Sequence, residues 1–192
     1  MLYRLLDKHD IVLDSETIGK LESFAEILHE WNHTHNLTGA KNIEAIYDNI
    51  LDSAYPLTFI STPQTLLDVG TGAGFPGLVL GIIWHQSRVV LCEPINKRAA
   101  FLKYVVMELG LGNITVSKMR VEDLRHEPFD LVSSRAVTDT GVLLKITDHL
   151  TSDKTQYLFY KGSRTQDELS GLKLQPNYVI VHLKKRKYLW IK

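Results

Sequence analysis

Leu66-Leu67-Asp68-Val69-Gly70-Thr71-Gly72-Ala73-Gly74-Phe75-Pro76-Gly77 is the most informative stretch of this chain. An apolar strand runs straight into regularly spaced glycines, and these lead into a second apolar segment, residues 76–84, that reads as a helix. Glycines at such a junction let the backbone turn sharply and approach a ligand closely, and a helix amino terminus behind them presents unpaired N–H groups. Residues 72–77 spell G-x-G-x-x-G, the turn that cradles a dinucleotide pyrophosphate, so that reading stands as a candidate. A glycine-rich turn without a ligand is the plain alternative, but four glycines in eight residues each carry an entropic cost.

Downstream, short apolar runs alternate with helical stretches, the pattern of a parallel sheet with crossover helices. Strands are predicted at 65–69, 88–93, 113–118, 129–134, 156–160 and 178–183, with 188–191 a candidate seventh. Helices are predicted at 97–109, where Phe101, Leu102, Val105 and Leu109 share a face, and at 141–150. Upstream the rhythm differs. Ile18, Leu21, Phe24, Ala25, Leu28 and Trp31 recur at threes and fours behind Asp14, Ser15 and Glu16, predicting a helix over 16–31. A polar, turn-rich stretch follows over 32–42, and Ile43, Ile46, Tyr47, Ile50 and Ala54 mark a second amphipathic helix. The expected architecture is α/β: a mostly parallel sheet of about seven strands with helices on both faces. A helical cap (1–63) precedes the main unit (64–192), the two forming one compact body.

With 192 residues, 44% of them hydrophobic, the chain can bury one substantial core. No apolar run approaches the roughly 20 residues of a membrane span, and Arg4, Asp7 and Lys8 interrupt the amino terminus where a signal peptide would stay apolar. A soluble, cytoplasmic monomer is expected. The single cysteine, Cys92, lies in an apolar run and reads as a small packed hydrophobe. Eight histidines, including His29, His33 and His35, lack a carboxylate or cysteine set at ligand spacing, so no metal site is expected. Net charge is zero but unevenly spread: residues 1–66 hold four Lys/Arg against ten Asp/Glu, and the remainder 18 against 12. The basic part suits a phosphate-bearing partner, although solvated surfaces of unequal charge would look the same.

The acidic strand end and the extra glycine change the reading of the junction. Asp68, Gly70, Gly72 and Gly74 give D-x-G-x-G-x-G, which resembles the first motif of Rossmann-like class I methyltransferases. That resemblance implies S-adenosylmethionine as cofactor, lying over the loop, with Asp68 ordering the loop or receiving the ammonium group directly or through water. Glu93, at the end of the second strand, stands where ribose hydroxyls need an acceptor about 20 residues past the loop. An adenosine ribose belongs to either cofactor, so Glu93 does not separate them. Residues 120–123 fall where class I enzymes meet the adenine edge.

Along most of its length the chain also resembles the bacterial 16S ribosomal RNA guanine-N7 methyltransferase family, RsmG or GidB. The resemblance rests on Trp31-Asn32, Asn36-Leu37-Thr38, Ile50-Leu51-Asp52-Ser53, the glycine motif with Phe75-Pro76-Gly77, and Asn96-Lys97-Arg98. It continues through Arg120-Val121-Glu122, Ser134-Arg135-Ala136, Lys161-Gly162 and Asp167-Glu168. It implies cofactor contacts at Gly70, Phe75, Val121, Glu122 and Arg135, and 16S ribosomal RNA or the small ribosomal subunit as partner. Two positions depart from the family: Asn49 where a histidine is usual, and Pro94 where a serine is common.

N7 of guanine carries an exposed lone pair and needs no prior deprotonation, so catalysis is chiefly alignment, an effect of about 7–11 kcal/mol at best. Arg135, at the fourth strand's end, is expected to position cofactor and substrate, with a surface ion pair as the alternative. Lys161 is a second catalytic candidate, able to meet phosphate or guanine O6 unless it is merely solvated. RNA contacts are expected from Lys118, Arg125, Arg164 and the run Lys184-Lys185-Arg186-Lys187, which equally suits a solvated hairpin. Two rival readings remain: an NAD-type oxidoreductase using residues 72–77, and a ribosome-associated binding protein that has lost turnover.

Overall fold

The computed structural model describes residues 1–162, 165–170, 177–183 and 186–192. Three helices come first: α1 (Leu2–Asp7), α2 (Ser15–His35) and α3 (Ile43–Ala54). Then follow β1 (Thr65–Val69), α4 (Gly77–Ile83), β2 (Arg88–Cys92), α5 (Asn96–Glu108), β3 (Ile114–Ser117), β4 (Leu131–Arg135) and α6 (Thr140–Thr147). The chain ends with β5 (Gln156–Lys161), α7 (Thr165–Ser170), β6 (Tyr178–Leu183) and β7 (Arg186–Ile191).

Helix α2 starts where Asp14 accepts the Thr17 amide at 2.8 Å. It runs four residues beyond the predicted end, to His35, and the left-handed backbone of Asn36 (φ 49°) closes it. Nothing in residues 32–35 breaks a helix, and the polar side chains there do other work. Asn32 donates to the Ala40 carbonyl and accepts the Thr38 amide, fastening the loop that leads to α3. Asn42 caps α3 by accepting the Ala45 amide. Helices α1 and α7 have six residues each, too few to show a period in sequence.

The seven strands lie in the order β3-β2-β1-β4-β5-β7-β6. All pairs from β3 to β5 are parallel, while β7 runs antiparallel to both β5 and β6. Strand order reverses at β1: the chain moves outward to β2 and β3, then returns to β4 on the other side. In such sheets the crevice beyond the carboxyl ends at the reversal point is where ligands enter.

Alternate strand residues serve opposite faces. Leu66, Leu91, Leu131 and Leu158 join a core with α1–α5, whereas Leu67, Val69, Val132 and Phe159 join a second core with Leu143 and Leu169. The cap shares the first core, and Trp31 of α2 sits 5.5 Å from Phe101 of α5 between ring centroids. Cys92 is buried in the second core, and burial pushes its thiol up to about 12. No described helix is long and apolar enough to cross a membrane.

Register decides which side chains meet at the crevice. Val69 of β1 pairs with Cys92 of β2 on one side and Ser134 of β4 on the other, and Arg135 pairs with Tyr160 of β5. The residues that follow that row, Glu93, Gly70 and Arg135, therefore stand side by side at the carboxyl edge.

Candidate cofactor and substrate site

The glycine turn is fastened from below. Asp68, wholly buried, accepts the Gly77 amide on Oδ2 at 2.9 Å and the Ser133 hydroxyl on Oδ1 at 2.6 Å. Burial pushes its carboxyl up to about 6, against the hydrogen bonds from Ser133, Thr71 and Gly77 and the charge of Arg135. Gly70 takes φ +68°, and a Cβ there would stand 2.5 Å from Val137 Cγ2. Gly77 has no room for a side chain, because its Cβ would run into the Asp68 carboxylate. Glu93 holds the turn from the β2 side: Oε2 accepts the Gly72 amide and Oε1 the Ile95 amide, each at 2.8 Å.

Three cavities meet over this edge. One of about 470 Å³ is lined by Gly70, Gly72, Phe75, Glu93, Arg98 and Arg135, with Leu37 and Thr38 of the cap loop. A second, about 270 Å³, lies beyond Gly70 against Arg120, Val121 and Glu122. A third, about 850 Å³, opens among Tyr160, Lys161, Glu168 and Arg186. Val137 lines all three and so stands at their junction. A further cavity of about 610 Å³ lies between α1 and α3, away from the strand ends.

Arg135 is held in place rather than solvated. Its Nη1 donates to Asn49 Oδ1 at 2.9 Å and to Asp52 Oδ2 at 3.2 Å, and its guanidinium carbon lies 4.8 Å from the Phe75 ring centroid. Burial pulls its pKa down, and the neighbouring Asp52 opposes the shift. Lys161 donates to Glu168 Oε2 at 2.7 Å and to the Thr138 carbonyl at 3.3 Å. The same Glu168 oxygen accepts the Thr140 hydroxyl and amide. Burial opposes ionisation of Glu168, yet the bonds from Lys161 and Thr140 win and lower its pKa.

Residues 17–187 match the family described as GidB, rRNA small subunit methyltransferase G. The chain belongs to this family. It is 43% identical to ribosomal RNA small subunit methyltransferase G of Aliarcobacter butzleri over all of this chain and 98% of that protein. With the protein of the same name from Wolinella succinogenes it shares 44% identity over 96% of this chain and 94% of the relative. Solved structures show the fold to be that of class I methyltransferases. A methyltransferase from Geobacter sulfurreducens aligns with TM-score 0.66 at 14% identity, over 88% of this chain and 90% of its own. A SAM-dependent methyltransferase from Aquifex aeolicus gives 0.58 at 17% identity, over 73% and 90%.

Among the residues expected to form the site of this rRNA small subunit methyltransferase G family member, Gly70, Gly72, Phe75, Glu93 and Arg135 line one cavity. Val121 and Glu122 line the next, on a short turn of 3₁₀ helix. Gly74 is in the turn, where a Cβ would stand 2.9 Å from Phe24 Cζ. Asp68 lies wholly buried beneath the loop, bonded to Gly77 and Ser133 and lining none of the three cavities, so its place is to order the turn and not to face the cleft. Lys161 is no solvated lysine: it is buried in its pair with Glu168. Arg186, expected to contact RNA or to sit in a solvated hairpin, belongs to β7 and bonds Asp52, and Lys187 pairs in the sheet with Lys161 and His182. Arg125 folds back onto the carbonyls of Glu122 and Leu124. Arg164, Lys184 and Lys185 lie outside the described residues.

Sequence reasoning passed over Asp52, Arg98, Val137 and Glu168 as site residues. Asp52, Arg98 and Glu168 stand inside motifs that mark the family. Nothing in the pattern of Val137 distinguishes it from any loop valine. Asn49, the departure from the family histidine, accepts the bond from Arg135.

Proposed function

We propose that this chain transfers the methyl group of S-adenosylmethionine to N7 of a specific guanine in 16S ribosomal RNA. The observation that carries the reading is the row of Glu93, Gly70 and Arg135 at the sheet's reversal point, with a divided cavity above it. The residues present fit the cofactor. Gly70 supplies a close backbone surface where a side chain would collide, each Glu93 oxygen keeps a lone pair for a ribose hydroxyl, and Val121 and Glu122 flank a site for the adenine edge. Arg98 lines the same cavity; its Nε is buried without a hydrogen-bond partner among the described residues, and it suits the amino-acid carboxylate.

When bound, S-adenosylmethionine supplies an electrophilic methyl group on a sulfonium. This chain's task is to bring the lone pair of guanine N7 in line with it, and no side chain has to remove a proton first. The cavity among Tyr160, Lys161 and Arg186 is the place for the base, because it meets the cofactor cavities at Val137. Arg135 sits between them and sets the orientation, while Lys161, through Thr138 and Glu168, holds the loop that carries Val137 and keeps a third N–H for phosphate or guanine O6. Basic residues of the β6–β7 region meet the RNA backbone. Ribosomal RNA as substrate implies the cytoplasm as the place of action, and a monomer suffices because one chain supplies every group named.

The test is methyl transfer from labelled cofactor into 16S ribosomal RNA that lacks the modification, with the position read by strand cleavage specific for N7-methylguanine. Label at a single such guanine is the expected result. Incorporation at a ribose, a ring carbon or an exocyclic amine overturns it.

A further inference from the structure

Three donors from two strands, making four hydrogen bonds, converge on one carboxylate of the cap. Arg186 Nε donates to Asp52 Oδ1 at 2.8 Å and Oδ2 at 3.0 Å, the Tyr188 hydroxyl to Oδ1 at 2.9 Å, and Arg135 Nη1 to Oδ2 at 3.2 Å. The backbone beneath is pinned as well: the carbonyl of Asp52 accepts the Tyr188 hydroxyl and that of Ser53 accepts the Tyr160 hydroxyl. Tyr160 is the sheet partner of both Arg135 and Tyr188. The last turns of α3 are thus fixed to the strand end that carries Arg135, and the Asp52 carboxylate is a fixed reference point for that arginine.

Fixing matters because an arginine side chain has many rotamers and two like charges meet here. Arg135 lines the cofactor cavity and Arg186 the substrate cavity, and Asp52 is the anion between them. With its charge removed, Arg135 keeps Asn49 as acceptor but faces the uncompensated charge of Arg186. Asp52 itself lines none of the three cavities over the glycine turn.

We propose that Asp52 is a positioning residue for methyl transfer, acting through Arg135: it fixes the guanidinium at the meeting point of the cofactor and substrate cavities. The inference rests on the reading of the cleft given above. A double-mutant cycle with Asp52→Asn and Arg135→Gln tests it, with single-turnover transfer to 16S ribosomal RNA as one readout and S-adenosylhomocysteine affinity as the other.

Asp52→Asn is expected to slow transfer by about tenfold while cofactor affinity stays within about threefold. Added to Arg135→Gln, it is expected to slow transfer by less than about twofold more. Multiplication of the two effects, or an undiminished rate in Asp52→Asn, overturns the proposal. Should Asp52→Asn lose its circular-dichroism signature, Tyr188→Phe replaces it in the cycle. That variant deletes one brace on Asp52 and keeps the ring packing, so a loss of about threefold that disappears in the Arg135→Gln background is expected, and a loss that persists there overturns the proposal. Failure of the wild type to bind S-adenosylhomocysteine sinks the reading of the cleft and the inference with it. A wild type that binds and transfers, with an additive cycle, sinks the inference alone.

Discussion

The Gly77 amide donates to Asp68 Oδ2 at 2.9 Å across nine residues of chain, closing the glycine turn from beneath. That bond exists inside a core that pushes the Asp68 carboxyl from 3.8 up to about 6. Below about pH 4 folded and unfolded chains both hold the proton; between about 4 and 6 only the unfolded chain releases it. Stability owed to this group is therefore full at the acid end and lost as pH rises to about 6, by on the order of 3 kcal/mol. Denaturant titration of wild type and Asp68→Asn from pH 4 to 7 checks this. The stability difference between them should move against the wild type as pH rises, and a flat difference contradicts the assignment.

Two glycines of the turn should respond differently to alanine. Both have positive φ, but a Cβ at Gly70 meets Val137 at 2.5 Å, whereas at Gly72 the nearest atom is 3.9 Å away. Gly70→Ala should weaken S-adenosylhomocysteine binding by well over tenfold and Gly72→Ala by about fivefold, the low end of a backbone strain of order 1–3 kcal/mol. Calorimetry on both variants measures the contrast, and equal losses would contradict the close approach of the 137 loop.

How much of this could be read beforehand depended on the kind of signal. The apolar run 65–69 ending in Asp68 and four glycines announced strand, turn and helix, and the structure places β1 at those residues. Glu93 and Arg135 were legible because strand ends at a reversal point are where ligands meet the sheet. The bonds of Arg135 were not, because Asn49 and Asp52 lie 86 and 83 residues away in sequence and only the tertiary fold joins them. The ion pair of Lys161 was hidden for the same reason: its partner Glu168 lies seven residues on, and only the fold brings the two together. The basic run near 184–187 looked uniform, yet sheet register points Arg186 at the cap.

The buried Nε of Arg98 has no acceptor among the described residues, and so adds nothing to the fold by pairing. Arg98→Ala should leave the melting temperature within about 2 °C while weakening S-adenosylhomocysteine binding by about tenfold, the scale of one charge-assisted bond. Thermal shift with and without ligand reads both. A lowered melting temperature with unchanged affinity would give Arg98 a structural part instead.

Lys161 and Glu168 form a largely buried pair, with side chains 8% and 23% exposed. Glu168→Gln should destabilise by about 2–4 kcal/mol because it strands a buried ammonium, and Lys161→Met with Glu168→Gln should recover part of that loss. Chemical denaturation of the wild type and both variants checks this. Recovered stability with transfer still abolished in the double variant would give Lys161 its second part, toward the substrate.

The most direct measurement is a crystal structure of the chain with S-adenosylhomocysteine. The amino-acid end should lie over Gly70–Gly74 beside Arg98, the ribose at Glu93 and the adenine between Val121 and Glu122. A ligand lodged anywhere else, or a dinucleotide whose pyrophosphate occupies the turn at residues 72–77 in competition experiments, would contradict it.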